Sequence, residues 1–347
     1  MSNLQPLVSI IILNYNAGKL LEDCVESVLN SNYKNIEIIV VDNVSSDDSH
    51  KLCKEKFPKI NLIENSKNFG YCEGNNIGVK NSQGSFIIIL NPDTLVEPNW
   101  INELISAFKT FGEGLYQPKI LSLYEKNILQ STGNMINLFG FGFALDKGLV
   151  DKNKITQSRD IGYASGTCLF TKKSTFQKIG FFDPFIFLYH DDLDLGWRAR
   201  QIGIKSYYVP NSIIYHAESY SLKWSEKKFF WLERNRKFCL LTHYSKSTYK
   251  KMWLSLLIVD ILVWIFYISK GFIRAKINAE IHLLKNKDLI KKRYQEIEQK
   301  KILPDNKLIR EFSEIIFVPG KVNQGISNKI FNYILKKLSC NVKNKIC

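Results

Sequence analysis

The sequence predicts an α/β protein, a mainly parallel sheet flanked by helices, followed by a basic helical extension. Two observations carry the α/β part: short unbroken apolar runs recur through the first half of the chain, and the segments between them place apolar residues at helical spacing. Strands that are apolar on both faces belong in a parallel sheet covered by helices. The third observation concerns charge. Residues 223–347 hold 27 basic and 10 acidic side chains, a balance of +17, whereas residues 1–222 hold 21 and 23, a balance of −2. A polycationic C-terminal third suits an anionic partner, either lipid or nucleic acid.

The elements follow in order. "LVSIIILNYN" is a strand ending at Asn14-Tyr15-Asn16, and "AGKLLEDCVESVLNS" carries Leu20, Leu21, Val25, Val28 and Leu29 at helical spacing. Ile36 to Val41 repeats the strand, and Ser45 or Ser46 stands where it can cap the next helix. "INLIEN" is a shorter strand. In "NFGYCEGNNIGVKNSQG" the Asn and Gly residues are expected to break any long element into loop and helix pieces. Phe86 to Leu90 is a strand, and Asn91-Pro92 ends it, because proline cannot donate to a ladder. A further strand around Thr167–Phe170 and a short helix from Ser174 precede the amphipathic "DDLDLGWRARQIG".

Carboxylates stand at the ends of these elements. Asp42 closes the second strand and Asp93 follows the fourth, both at the carboxyl edge where open α/β sheets bind ligands. Asp42 either accepts the imide N–H of a uracil or thymine ring or caps the turn before "NVSSDD". Asp93 either terminates the strand in an ordinary Asn-Pro-Asp turn or holds a divalent cation, which prefers carboxylate oxygens and bridges to diphosphates. Asp191, Asp192 and Asp194 suit the positive end of a helix, yet three carboxylates within four residues exceed what capping needs. A carboxylate crowded by like charges gains proton affinity, which suits a general base.

Several classes are excluded. With 45% hydrophobic and 23% charged residues the chain is globular. Seven scattered cysteines without a C-x-x-C suggest a reducing compartment and neither a disulfide framework nor a zinc site. The first strand-to-helix turn, "LNYNAGKL", lacks G-x-G-x-x-G, and no Walker motif occurs. "MSNLQPLVSIII" lacks the basic region of a signal peptide, so a cytoplasmic start is expected.

"VSIIILNYN", "IIVVDNVSSDDS", "NFGYCEGNNIG", "IIILNPDT", "SGTCLFTKKSTFQKIGFFD", "FLYHDDLDLGWRARQIG" and "YYVPNSIIYH" occur in that order. Together they resemble the family 2 glycosyltransferases, and within them the rhamnosyltransferase-like branch of bacterial surface-polysaccharide synthesis. The resemblance implies a GT-A fold over residues 1–240, with a nucleotide-sugar half at 1–115 and an acceptor half at 116–240. It implies an inverting transfer from a nucleotide-activated sugar, such as rhamnose from dTDP-rhamnose, with Mg²⁺ or Mn²⁺ as cofactor. By position it implies that Asn14, Asn16, Asn68, Gly70 and Asn76 line the nucleotide pocket and that Asp42 contacts the base. Asp93 then binds the metal, with Asn91 where a second carboxylate is usual, and His216 is a further ligand, set against a histidine that merely ends a strand. Asp192 is the general base, beside Asp191, where glutamate is usual.

The C-terminal region, 241–347, contains the apolar run 252–268, interrupted only by Ser255 and Asp260 and flanked by Lys250, Lys251, Lys270 and Arg274. A helix lying in a membrane interface with Trp253 and Trp264 at headgroup depth is expected, against a short span or a buried helix. The expected protein is therefore a membrane-associated transferase on the cytoplasmic face, acting on a polyprenyl-linked or glycan acceptor. The alternatives are a UDP-hexose-dependent transferase on a soluble or protein acceptor, a non-catalytic nucleotide-sugar-binding protein, and a basic nucleic-acid-binding protein. Nucleic acid is disfavoured because the basic residues lie beside Trp-rich apolar segments, without a recognisable nucleic-acid module.

Overall fold

The computed structural model describes residues 5–152, 155–218, 225–317 and 326–347. The chain forms two compact units: residues 1–134, 144–196 and 204–218, and residues 135–143, 197–203 and 219–347. In order, the first 135 residues supply β1 (Val8–Asn14), α1 (Lys19–Leu29), β2 (Ile36–Asp42), α2 (Ser49–Lys56), β3 (Asn61–Glu64), α3 (Gly70–Lys80), β4 (Phe86–Leu90), β5 (Thr94–Val96), α4 (Trp100–Phe111), β6 (Gly114–Ser122) and β7 (Leu129–Ser131). A two-stranded ribbon follows, β8 (Asn134–Ile136) with β9 (Gly142–Ala144), then β10 (Arg159–Ile161), β11 (Cys168–Lys172), α5 (Lys173–Ile179), α6 (Asp191–Gln201) and β12 (Lys205–His216). The rest is helical: α7 (Glu226–His243), α8 (Lys246–Ser269), α9 (Ile273–Lys285), α10 (Lys287–Lys300), α11 (Asp305–Glu311) and α12 (Ile326–Ile346).

One sheet organises the first unit, in the order β10-β12-β6-β11-β4-β1-β2-β3, with β5 on β12 and β7 on β6. The pairs β1–β2, β1–β4, β2–β3 and β6–β12 are parallel, while β11 runs antiparallel between β4 and β6. Alternate strand residues face opposite sides. Ile10 and Ile12 join Leu21, Val25, Leu104 and Trp100 in the core formed with α1 and α4. Ile11, Leu13 and Val41 meet α3 on the other side. Coverage on both faces explains why these strands contain almost no polar residues.

Two local expectations are corrected. Gly70–Lys80 is one continuous helix, because its glycines are packing positions and not breaks: a Cβ on Gly74 would come within 2.5 Å of Leu13, and one on Gly78 within 2.4 Å of Ile11. The close helix–sheet approach repays their poor helix propensity. Neither Ser45 nor Ser46 caps α2, whose N-cap position is Asp48; Ser45 instead bonds Asn14 and Asp42 at the ends of β1 and β2, and Ser46 bonds the Asn16 side chain.

The second unit contains a buried ionic knot. Lys276 Nζ on α9 donates to Glu233 at 2.6 Å, Asp260 at 2.7 Å and Glu280 at 2.7 Å. Arg236 pairs with Glu233 at 2.8 Å, and Lys237 lies 3.1 Å from Asp260. Burial alone would raise the Glu233 carboxyl, but Arg236 and Lys276 hold it below the usual range. Asp260 is likewise held low, with Lys276 and Lys237 outweighing its burial. All seven cysteines are free.

Candidate active site

The residues singled out at strand ends assemble along the carboxyl edge of the sheet. Asn14 and Asp42 are register partners closing β1 and β2. The Asn14 amide nitrogen donates toward Asp42 Oδ1, Ser49 Oγ and Ser45 Oγ at 2.8, 2.9 and 3.0 Å. Asp42, 2% exposed, also accepts from the Ser45 N–H at 2.9 Å and the Ser45 hydroxyl at 2.6 Å. His50, which the sequence did not single out, bridges Asp42 and Glu64 at 3.4 and 3.3 Å. Asn16 adopts the left-handed region (φ 54°), which asparagine tolerates, and its side-chain Oδ1 accepts from the Ser46 N–H at 2.7 Å.

The next loop is shaped by Asn68, whose side chain accepts from the Gly70 N–H at 2.8 Å. Gly70 has φ +75°, and a Cβ there would lie 2.5 Å from Phe187, so no other residue fits. Asn76 spends its amide on a clamp: it donates to the Phe182 carbonyl at 2.9 Å and accepts from the Phe182 N–H at 3.1 Å.

Asp93 sits just past β4, 3% exposed. His216, the last residue of β12, approaches it with Nε2 3.3 Å from Asp93 Oδ2. The neighbouring Gln130 on β7 donates from Nε2 to the His216 carbonyl at 2.8 Å, which aims its Oε1 at His216 Nδ1, also at 2.8 Å. An amide oxygen only accepts, so Nδ1 carries a hydrogen, and Nε2 is turned toward Asp93. Asp93 Oδ1 is buried without a hydrogen-bond partner among the described residues. These features fit a divalent cation: two ligand atoms about 2.1 Å from an ion and at right angles lie roughly 3 Å apart, close to the spacing seen. Holding a liganding histidine by its other nitrogen is the usual second layer of such a site.

The acidic group at the start of α6 reaches the same edge. Asn91 N–H donates to Thr167 O at 3.0 Å, and Cys168 pairs with Leu90, so the turn 165–167 lies against the end of β4. Asp192, half-buried, accepts from the Gly166 N–H in that turn at 3.0 Å and from the Leu193 N–H at 2.8 Å. Tyr71 donates to the Gly166 carbonyl at 2.5 Å. Asp191 is buried, and burial followed by the Asp192 charge pushes its carboxyl well above the usual range. Burial also raises Asp192, opposed by its N–H donors. Asp194 is fully buried. Phe187, Tyr189 and His190, leading into α6, all have φ above 60°, a strained approach of the kind found at functional sites.

Gln130, His50, Tyr71 and Gly166 were missed as site residues. Gly166 stood inside the quoted "SGTCLF" run, so a signal existed; Gln130 and His50 had none.

The sheet, with carboxylates and a histidine gathered at its carboxyl edge, has a GT-A-like fold. Solved glycosyltransferases have the same fold: GalNAc-T7 with UDP, GalNAc and Mn²⁺ matches with TM-score 0.59 at 17% identity over 72% of this chain and 50% of that one. The mannosyltransferase PcManGT from Pyrobaculum calidifontis, with GDP-Man and Mn²⁺, gives TM-score 0.51 at 13% identity over 99% and 87%. Residues 9–180 match the family model Glycosyl transferase family 2, and the chain belongs to that family. A low-salt glycan biosynthesis hexosyltransferase of Haloferax volcanii is 26% identical over 57% of this chain and 62% of its own length. An N-acetylglucosaminyl-diphospho-decaprenol L-rhamnosyltransferase of Mycobacterium tuberculosis is 24% identical over 64% and 78%.

Proposed function

We propose that the chain is an inverting, metal-dependent glycosyltransferase that moves a sugar, rhamnose from dTDP-rhamnose in the first instance, onto a polyprenyl-linked or surface-polysaccharide acceptor. It works at the cytoplasmic face of the cell membrane. Residues 1–115 form the donor half, with Asn14, Asn16, Asp42, Asn68, Gly70 and Asn76 shaping the nucleotide pocket. Asp93 and His216 would hold Mg²⁺ or Mn²⁺, which when bound would supply charge neutralisation for the leaving diphosphate. Asp192 takes the proton from the acceptor hydroxyl as its oxygen attacks the anomeric carbon. The nucleoside diphosphate leaves from the opposite face, and configuration inverts in one displacement. Asp191, the more deeply buried carboxyl, keeps its proton and leaves the charge on Asp192.

The observation that carries this reading is Asp93 Oδ1, buried and without a partner among the described residues, beside a histidine whose Nε2 faces the same carboxylate. The rhamnosyl donor and lipid-linked acceptor rest on the printed name of the mycobacterial relative. A second reading is transfer of a hexose from a UDP donor to a soluble or protein acceptor, and the name of the archaeal relative supports its hexosyl part alone.

The test is turnover across a panel of nucleotide sugars with Mg²⁺ or Mn²⁺. Consumption of dTDP-rhamnose with release of dTDP is expected, abolished in Asp93→Ala with the fold intact. Turnover confined to UDP-hexoses would favour the second reading, and full activity in Asp93→Ala would reject the metal assignment.

A further inference from the structure

Helix α8 is apolar all the way round in sequence, which left its role open between span, interface and core. The structure separates its faces. Met252, Leu256, Val259, Val263 and Tyr267 are buried, and Tyr267 donates to the Phe229 carbonyl of α7 at 2.9 Å. Asp260 is engaged by Lys276 and Lys237 on neighbouring helices. The opposite arc remains open, with Trp253 58%, Leu257 47%, Ile261 49%, Ile265 57% and Ile268 56% exposed. At 100° per residue these five lie within one face.

Helix α9 repeats the pattern. Ala275, Lys276, Ala279 and Leu283 are buried, while Ile273, Ile277, Ile281 and Leu284 form an exposed apolar stripe on the far side. Arg274 and Lys285 on α9, and Lys250, Lys251 and Lys270 at the ends of α8, are all exposed. Exposed apolar stripes on two such helices mark an interaction site, and the cationic residues at their margins point to an anionic partner.

We infer that α8 and α9 form a two-helix platform that lies flat in the headgroup region of an anionic bilayer. This deepens the membrane-face reading above and rests on it. Among the described residues α8 is the one helix long and apolar enough to cross a bilayer, but crossing would expose a face that carries Asp260 and its partners. Glu233, Arg236 and Lys276 would then have to be torn from it or carried into hydrocarbon, both costly. An in-plane helix keeps the knot intact and buries only the outer face. The stripe on α9 widens the contact and would give the acceptor's lipid a surface shared with the enzyme.

The test is flotation of the full chain with sealed phosphatidylcholine vesicles, with and without phosphatidylglycerol, with nucleotide-sugar binding measured in the same samples. Binding that strengthens with phosphatidylglycerol and is only partly reversed by salt is expected. The double variant Ile261→Glu/Ile277→Glu should bind vesicles at least tenfold more weakly, with nucleotide-sugar binding unchanged. A membrane-impermeant amine reagent should modify Lys251 and Lys270 alike from outside the vesicles. Protection of one of them would mean a span and overturn the inference. Undiminished flotation of the double variant would overturn it too, as would vesicle-free self-association that those substitutions disperse. If the wild-type chain floats but binds no nucleotide sugar, the transferase reading fails and the platform stands.

Discussion

Each of the two units buries carboxylates, and it does so in opposite ways. In the helical unit Glu233 and Asp260 are saturated with cations, and both are held below the ordinary carboxylate range. Glu233, Asp260 and Glu280 come close enough together to hold a metal ion, yet the Lys276 ammonium already occupies the space among them. Among the described residues of the sheet unit, Asp93 keeps a buried oxygen without a partner, and Asp191 and Asp192 are raised first by burial. A saturated carboxylate holds a fold together, whereas an unsaturated one is available for a ligand or a proton. The contrast can be broken by experiment.

The largest effect is expected at Asp192. Asp192→Asn removes the base but keeps an acceptor for the Gly166 N–H, so turnover should fall by about 10²–10⁴-fold while the melting temperature holds. A variant that lost stability in proportion to activity would move Asp192 to the structural class.

Lys276→Met makes the reverse claim. It leaves buried carboxylates short of a cation and should cost roughly 3–5 kcal/mol of stability, read by denaturant unfolding. The sign with pH follows from the lowered carboxyls: the stability they contribute is present above their unfolded pKa and is lost as pH falls through the folded value. The wild-type advantage should therefore shrink in acid.

Between these sits Gln130. Gln130→Leu removes the acceptor that fixes the His216 tautomer and should weaken Mn²⁺ binding by about 10–100-fold, measured by calorimetry without substrate. Gln130→Glu, which keeps an acceptor, should recover much of the loss. Equal affinity in all three proteins would end the tautomer argument.

How far these assignments could be seen in the sequence follows the same division. Asp42 and Asp93 were legible because an apolar strand followed by Asn, Pro or Asp fixes both the strand end and the edge where it lies. The alternation of β1 through β4 with helices was legible from periodicity alone. Helix α3 was not, because Gly74 and Gly78 look like breaks until the sheet that needs them is in place. Gln130 carries no local signal: it matters through residue 216, which a β-ladder brings beside it. The two faces of α8 were hidden for a different reason, since a helix apolar on every side becomes two-faced only when its neighbours claim one of them. Asp260 read as a cost until Lys276 was seen to meet it.

The smallest expected effect decides between two adjacent carboxyls. Asp191 is raised first by burial and then by the Asp192 charge, so the native state favours its protonated form. A group raised in the folded state contributes its stability below the unfolded pKa and loses it as pH climbs through the folded value. Asp191→Asn mimics the protonated carboxyl at every pH. Its melting temperature should match wild type in acid and exceed it by a few degrees toward neutral and alkaline pH, with turnover reduced less than tenfold. If Asp191→Asn instead abolishes turnover while Asp192→Asn keeps it, the proton acceptor is the buried carboxyl, and the N–H donors around Asp192 serve only to start the helix.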